Sequence, residues 1–147
     1  MKIRTANRFD IPKIADMLRN YLNAGTIPNL KVEDETTALK ILTHILIGGG
    51  LAIVSEKDNK LTGMLLAVRT PFLWDNTQFV MNEIAYWVEQ EHRGSTAGYR
   101  LISEYVKSCD EMIENKKIMN YTISQMEGQQ LKYERFGFRP IEHTWSI

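Results

Sequence analysis

The sequence predicts a single domain of the α+β, or mixed α/β, class, with helices on both faces of one mostly antiparallel sheet. Two observations support this class. Apolar residues recur at helical spacing in several segments, whereas the middle of the chain is rich in β-branched and aromatic residues. A chain of 147 residues is also long enough to bury a core as one domain. We therefore expect residues 1–147 to fold as one unit in the order β-α-α-β-β-β-α-β-α-β.

Local signals define the individual elements. Asp10 suits the N-cap of the first helix, and Gly25 and Pro28 break the helical pattern that follows it. The glycines at 48–50 end the second helix. The turn at residues 57–60 joins two strands as an antiparallel hairpin. The strands are expected at residues 2–6, 51–55, 61–70, 79–88, 117–124 and 138–147. The helices are expected before Gly25, at 34–47, around the apolar face at 101–113, and at 124–136, where Ser-Gln-Met-Glu fits a capping box.

Composition narrows the functional classes. The 18 basic and 18 acidic residues balance, so the chain has no electrostatic footprint for nucleic acid or for an anionic membrane. The longest apolar stretch, residues 45–54, contains three glycines and is too short to span a bilayer. The first residues lack an apolar signal-peptide core. Cys109 is the single cysteine, and its place on an apolar helix face predicts a buried thiol in a reducing, cytoplasmic setting.

A loop of small residues between a strand and the longest helix is the strongest candidate for a binding site. Residues 79–88 form an aromatic, β-branched run that ends abruptly, and residues 93–98 follow it. Small side chains allow a ligand to approach backbone N–H groups closely, and a helix N-terminus adds unpaired donors and a positive dipole. This loop is therefore expected to bind an anion such as a pyrophosphate.

Two motifs resemble those of the GNAT-type N-acetyltransferases. The run Arg93-Gly94-Ser95-Thr96-Ala97-Gly98 is similar to that family's Arg/Gln-x-x-Gly-x-Gly/Ala pyrophosphate loop for acyl-CoA. The run Tyr133-Glu134-Arg135-Phe136-Gly137-Phe138 is similar to its Tyr-Glu-x-x-Gly-Phe signature. The element order matches throughout, and the C-terminal run resembles short, often phage-encoded members. The chain departs from the family pattern at Thr96, which replaces a glycine, and at Gln90, which replaces a common proline.

The resemblance implies roles for named residues. Acetyl-CoA would be the cosubstrate, and a bulged strand before the loop would admit its pantetheine arm. The amide of Val88 would polarise the thioester carbonyl. Tyr133 would be the general acid for the departing thiolate; alternatively, it is a tyrosine packed beside two phenylalanines. The pyrophosphate would be held by the amides of Arg93, Gly94, Ser95, Thr96, Ala97, Gly98 and Tyr99.

Glu83 is the candidate general base. A carboxylate between Met81 and Ile84 is unexpected in a buried strand, and burial would raise its pKa towards a useful value. Glu83 would act directly or through water; in the family that the chain resembles, ordered water alone often serves as the base. Alternatively, Glu83 lies on a solvated strand face or pairs with an arginine.

The acceptor side is less defined by sequence. The resemblance implies that the acceptor lies between the first two helices and the loop after the second long strand, which here means residues 21–30 and 71–78. An acidic side chain there would attract a cationic amine. Their candidate residues are Tyr21, Asn23, Phe72, Trp74 and Asp75, which are alternatively ordinary exposed loop residues. No metal site is expected, because His44 and His143 lack further ligands at suitable spacing. His92, beside the loop, is expected to be a surface side chain.

The most specific hypothesis is an N-acetyltransferase that moves an acetyl group from acetyl-CoA to a primary amine of a small molecule or protein by direct attack. The alternative is a non-catalytic protein of the same fold that modulates a partner protein, which Thr96 and Gln90 favour. An enzyme that acetylates aminoacyl-tRNA is disfavoured by the zero net charge. An unpaired edge at the last strand would allow a homodimer.

Overall fold

The fold is built on one five-stranded sheet with the spatial order β1-β2-β3-β4-β5. The computed structural model describes residues 1–25, 34–126 and 131–147. The strands are β1 (Lys2–Thr5), β2 (Gly50–Lys57), β3 (Lys60–Phe72), β4 (Asp75–Val88) and β5 (Asn120–Thr122). The α-helices are α1 (Ile11–Asn23), α2 (Thr36–His44) and α3 (Ala97–Glu114). Shorter helical turns lie at Arg8–Asp10, Ile45–Gly49, Gln90–His92 and Tyr133–Phe136.

The first four strands pair antiparallel, and only β5 runs parallel to its neighbour, β4. Asp58 and Asn59 join β2 to β3 with φ values of 52° and 62°. Both central residues of a type I′ hairpin turn need a positive φ, and Asp and Asn tolerate it better than most residues. The predicted mixed fold class and the hairpin are confirmed.

The helices cover both faces of the sheet. Ile14 and Met17 of α1 and Leu42 of α2 pack on one face and are almost fully buried. The other face is covered by α3, whose buried residues are Leu101, Ile102, Tyr105 and Cys109. The predicted burial of the Cys109 thiol is confirmed, and this burial raises its pKa to about 12.

A β-bulge interrupts β4 at Ile84. Leu66 pairs with Ala85 while the next residue of β3, Ala67, pairs with Glu83, so Ile84 is the extra residue. The bulge reverses the alternation of side chains along the strand. Met81 before the bulge faces α3, and so do Tyr86 and Val88 after it, whereas Ala85 and Trp87 face α1 and α2. Glu83, two residues after Met81, is thereby placed on the same face as Tyr86.

A gap opens between β4 and the chain that follows β5. The two strands pair only from Val80 to Asn82 of β4, although β4 continues to Val88. Within the described part of the chain, no strand pairs with that edge of β4 beyond Asn82. We call this opening the β4–β5 gap; residues 83–88 form one side and residues 123–126 the other. The gap leads towards the loop before α3.

Asp10 is the N-cap residue of α1, as predicted. Its carboxylate makes no capping bond to the helix, however; it accepts hydrogen bonds from Arg4 at 2.7 and 2.9 Å and from the Asn7 amide at 2.8 Å. Two predicted elements near the C-terminus are wrong. No helix begins at Ser124: residues 124–126 are non-helical, residues 127–130 lie outside the description, and only a 3₁₀ turn at Tyr133–Phe136 follows. The Ser124 N–H donates to Glu83 and the Ser124 carbonyl accepts from Tyr133. Glu127, the other residue of the predicted capping box, lies outside the described residues.

The predicted last strand at residues 138–147 is also not formed. Phe138 contacts the rings of Tyr121 and Tyr133, but the residues after it are exposed and have no regular structure. Pro140 has no N–H to donate to a sheet ladder, which weakens pairing in this segment. None of the described helices combines the length and apolar character needed to cross a membrane.

Candidate active site

Glu83 is a buried carboxylate at the mouth of the β4–β5 gap. Only 7% of the residue is exposed, and its Oε2 accepts a hydrogen bond of 3.1 Å from the backbone N–H of Ser124. Burial raises the pKa of Glu83 from 4.5 to about 7, although the Ser124 N–H favours the ionised form and opposes that rise. A base whose pKa lies near neutrality has suitable driving force for proton transfer at physiological pH.

Tyr133 lies beside the same segment. Its hydroxyl donates a hydrogen bond of 3.0 Å to the carbonyl oxygen of Ser124, and its ring packs edge-on to Phe138. Burial, followed by the negative charge of Glu83, raises the pKa of Tyr133 above its usual value. Tyr133 therefore keeps its proton at neutral pH, and it must leave the Ser124 carbonyl to donate that proton elsewhere.

The amide of Val88 points into the β4–β5 gap. The next amide along the chain, that of Glu89, donates to the carbonyl of Thr62 on β3 at 2.9 Å. Consecutive residues of a strand direct their backbone groups to opposite edges, so the Val88 N–H points away from β3. The Val88 carbonyl accepts from the Arg93 Nε at 3.0 Å, and the Arg93 guanidinium lies 4.5 Å from the centre of the Trp87 ring.

The loop before α3 divides its amides into two groups. The amides of Arg93, Ser95 and Ala97 already have protein acceptors, which are the carbonyls of Gln90 and His92 and the Ser95 hydroxyl. In the described chain, the remaining four amides have no protein acceptor; they belong to Gly94, Thr96, Gly98 and Tyr99. These four donors surround the N-terminus of α3, where the helix dipole is also positive.

Two glycines of this loop have different requirements. Gly94 has a φ of 85°, a left-handed conformation that side chains disfavour. Gly98 has an ordinary φ, but a Cβ on this residue would overlap the hydroxyl of Tyr86. The tip of Tyr86 therefore lies directly against the first turn of α3. This contact with β4 leaves no room for a side chain at position 98 unless the Tyr86 ring shifts.

Several tyrosines surround Glu83. The charge of Glu83 raises the pKa of Tyr21 on α1 and of Tyr86, although burial is the larger cause for both. Sequence reasoning missed Tyr86 and Ser124. Side chains alternate along a strand, so Tyr86, two residues before Val88, could have been assigned from sequence to the same face of β4 as Val88. Ser124 acts through its backbone groups, which no pattern of side chains reveals.

The hairpin residues proposed for the acceptor do not meet Glu83. Asp75 and Glu83 are eight residues apart on one strand, or roughly 25 Å at the usual rise per residue. Trp74 is 82% exposed at the hairpin tip, and the Asp75 Oδ1 accepts from the Thr77 amide and hydroxyl at 3.1 and 2.6 Å. Residues 26–30 of the other proposed segment lie outside the described residues. Only Tyr21 of these candidates is shown to lie near the Glu83 charge.

The described residues contain no group of three or more His, Cys, Asp or Glu side chains that could hold a metal ion. His92 lies in the 3₁₀ turn before the loop, where its carbonyl accepts from the Ser95 hydroxyl at 2.6 Å.

Solved structures with the same fold include several acetyltransferases. A predicted acetyltransferase from Clostridium acetobutylicum with acetyl-CoA matches with a TM-score of 0.74 and 15% identity, over 99% of this chain and 94% of that one. A ribosomal-protein-alanine N-acetyltransferase from Brucella melitensis biovar Abortus 2308 matches with a TM-score of 0.72 and 18% identity, over 99% and 96%. An aminoglycoside acetyltransferase from an uncultured soil metagenomic sample matches with a TM-score of 0.68 and 14% identity, over 99% and 95%. At these identities the similarity establishes the fold alone.

A search of curated proteins finds no match. The family model described as "Acetyltransferase (GNAT) family" matches residues 16–138, which include β4, the loop before α3 and Tyr133. Because this match spans most of the chain, the protein belongs to the GNAT acetyltransferase family.

Proposed function

We propose that this protein transfers an acetyl group from acetyl-CoA to a primary amine by direct attack, with Glu83 as base and Tyr133 as acid. The observation that carries the proposal is the convergence of both side chains on Ser124, at the mouth of the β4–β5 gap. The gap leads to the free amides before α3. The site thus combines proton-transfer groups with an anion-binding loop.

The residues present suit acetyl-CoA. The free amides of Gly94, Thr96, Gly98 and Tyr99 supply donors for a pyrophosphate at a helix N-terminus. The unpaired edge of β4 supplies backbone groups for an extended arm that enters the gap. Acetyl-CoA, when bound, supplies an acetyl group activated as a thioester. Thr96 contacts the pyrophosphate through its backbone amide, so a threonine in place of the family's glycine still supplies this hydrogen-bond donor.

The protein residues then divide the chemistry among them. The Val88 N–H donates to the acetyl carbonyl oxygen as negative charge develops on it. Glu83 accepts the proton that the amine loses as its nitrogen bonds to the acetyl carbon. Tyr133 leaves the Ser124 carbonyl and donates its proton to the sulfur as the carbon–sulfur bond breaks. The products are an N-acetylated amine and free coenzyme A.

The acceptor is proposed only as a primary amine of a small molecule or a protein. The related structures carry names with two acceptor classes, an aminoglycoside and a ribosomal-protein alanine, so neither class is favoured. Tyr21, near Glu83, is the candidate residue on the acceptor side. We place the reaction in the cytoplasm because the one thiol, Cys109, is free and buried.

We also propose a homodimer. The strand at residues 138–147 that was expected to supply its edge is not formed, so the edge is that of β5. In the described chain β5 has a neighbouring strand on one side only, and the nearby tail exposes 70% of Ile141 and 91% of Trp145. Unpaired edges and exposed apolar side chains favour association. Light scattering across a range of protein concentrations is expected to show a dimer, and a monomer at every concentration would contradict it.

The direct test is release of coenzyme A thiol from acetyl-CoA with a panel of primary amines, N-terminal peptides and aminoglycosides. At least one acceptor is expected to give thiol release and an acetylated product in equal amounts. Glu83→Gln should abolish most of this activity, whereas Glu142→Gln, which changes an exposed carboxylate in the tail, should retain it. Equal activity in both variants would overturn the role of Glu83.

A further inference from the structure

The backbone of one residue holds both proposed catalytic side chains. The N–H of Ser124 donates to the Glu83 Oε2 at 3.1 Å, and the carbonyl of Ser124 accepts from the Tyr133 hydroxyl at 3.0 Å. Glu83 comes from β4 and Tyr133 from the 3₁₀ turn near the C-terminus, so Ser124 connects two elements that are distant in sequence.

The chain just before Ser124 is itself fixed to the core. The carbonyl of Thr122, the last residue of β5, accepts from the hydroxyl of Tyr105 at 2.8 Å. The Thr122 hydroxyl donates to the side-chain oxygen of Asn82 at 2.9 Å. Tyr105 is fully buried on α3, and Asn82 precedes Glu83 on β4. Ser124 is therefore two residues from a point tied to both the helix and the strand.

We propose that Ser124 is a positioning residue, whose backbone N–H and carbonyl fix the Glu83 carboxylate and the Tyr133 hydroxyl at one point of the β4–β5 gap. The proposal rests on the acetyl-transfer function proposed above. The N–H orients the carboxylate and favours its ionised form, which can accept a proton from the amine. The carbonyl holds the phenol proton until the sulfur replaces it as the acceptor.

The surroundings of Glu83 make this single N–H important. Titratable groups near the Glu83 charge come from four elements: Tyr21 on α1, Tyr86 on β4, Tyr105 on α3 and Tyr133 in the 3₁₀ turn. Burial and the charge of Glu83 raise the pKa of each of these phenols, so all four are neutral near pH 7. In the described chain, no basic side chain contributes to the pKa of Glu83; burial raises it and the Ser124 N–H lowers it.

The test compares proline with alanine at position 124. Both substitutions remove the exposed serine hydroxyl, but only Ser124→Pro also removes the N–H. Compared with Ser124→Ala, the proline variant is expected to raise the pKa of Glu83 by about one unit or more, since a hydrogen bond to a charged group is lost. Carboxyl-carbon NMR titration of the folded variants measures this pKa without substrate. Amide-to-ester replacement at residue 124 removes the same N–H and provides the measurement where proline prevents folding.

The kinetic arm gives an independent measurement. The acidic limb of the kcat/KM profile should move to higher pH by the same amount as the NMR pKa, while the KM for acetyl-CoA stays constant. An equal Glu83 pKa with and without the N–H would overturn the positioning role. If no amine is acetylated but the NMR pKa still shifts, the proposed function fails while the hydrogen-bond role of Ser124 survives.

Discussion

Glu83→Gln is expected to stabilise the folded protein above pH 7 while it abolishes most catalysis. Glutamine keeps the size of the side chain and an oxygen that can accept from the Ser124 N–H, but it cannot ionise. Above pH 7 the wild-type carboxylate is charged in a buried site, which costs free energy in the folded state only. A substitution that impairs function is thus predicted to improve stability.

The magnitude follows from the shift in the pKa of Glu83. The folded value is about 7 and the usual value is 4.5, so the group binds its proton more tightly in the folded state. Its contribution to stability is fully present below pH 4.5 and is lost as pH rises through about 7. At 1.36 kcal/mol per pKa unit, the total loss is about 3 kcal/mol. Above about pH 8, the difference in the free energy of unfolding between Glu83→Gln and wild type should be constant.

Urea unfolding, followed by tryptophan fluorescence, measures the free energy of unfolding of both proteins. The advantage of Glu83→Gln over wild type should grow by about 3 kcal/mol between about pH 4 and about pH 8. Glu142→Gln is the matched control because its carboxylate is exposed, and it should show no comparable growth. If the difference in the free energy of unfolding between Glu83→Gln and wild type does not vary with pH, Glu83 is not a buried carboxylate with a raised pKa.

Three further experiments test other parts of the structure. Tyr133→Phe should lower kcat by roughly 10²-fold or more while acetyl-CoA binding stays unchanged, and an unchanged kcat would remove this residue as the acid. Gly98→Ala should lower the affinity for acetyl-CoA, because the new Cβ meets the Tyr86 hydroxyl, and adding Tyr86→Phe should restore part of that affinity. Calorimetry that finds no loss of affinity in Gly98→Ala would contradict this contact. Arg4→Met leaves the Asp10 carboxylate without its two short bonds and should cost about 2 kcal/mol by urea unfolding, whereas a loss under about 0.5 kcal/mol would show that the pair contributes little.

Helical spacing was sufficient to predict α3, because one face of this helix packs on the core. The strands β2, β3 and β4 follow instead from their apolar, β-branched and aromatic composition and the turn signals between them, because both faces of the sheet pack on the core. The segment after β5 did not follow from local sequence. Ser124 fits a capping box, yet tertiary partners on β4 and near the C-terminus take its backbone groups instead.

The candidate site was only partly accessible from sequence. A carboxylate in an apolar strand marked Glu83, since the cost of burying a charge is a general property. A bulge in β4 was expected from the family resemblance, but its position at Ile84 was not, because an extra residue in one strand appears only when the partner strand is placed beside it. The hairpin tip at Trp74 was placed near the acceptor by resemblance, but the length of β4 separates it from Glu83.

The loop before α3 and the β4–β5 gap are proposed to bind acetyl-CoA for transfer to an amine. The most direct measurement is the free energy of unfolding with and without acetyl-CoA, followed by addition of the amine panel to the same samples. We expect stabilisation of about 2.7 kcal/mol when acetyl-CoA is at 100 times its Kd, and acetylated amine and free thiol in equal amounts once a suitable acceptor is added. Stabilisation without turnover on any amine would instead support a non-catalytic binding protein, and no stabilisation at millimolar acetyl-CoA would contradict the claim.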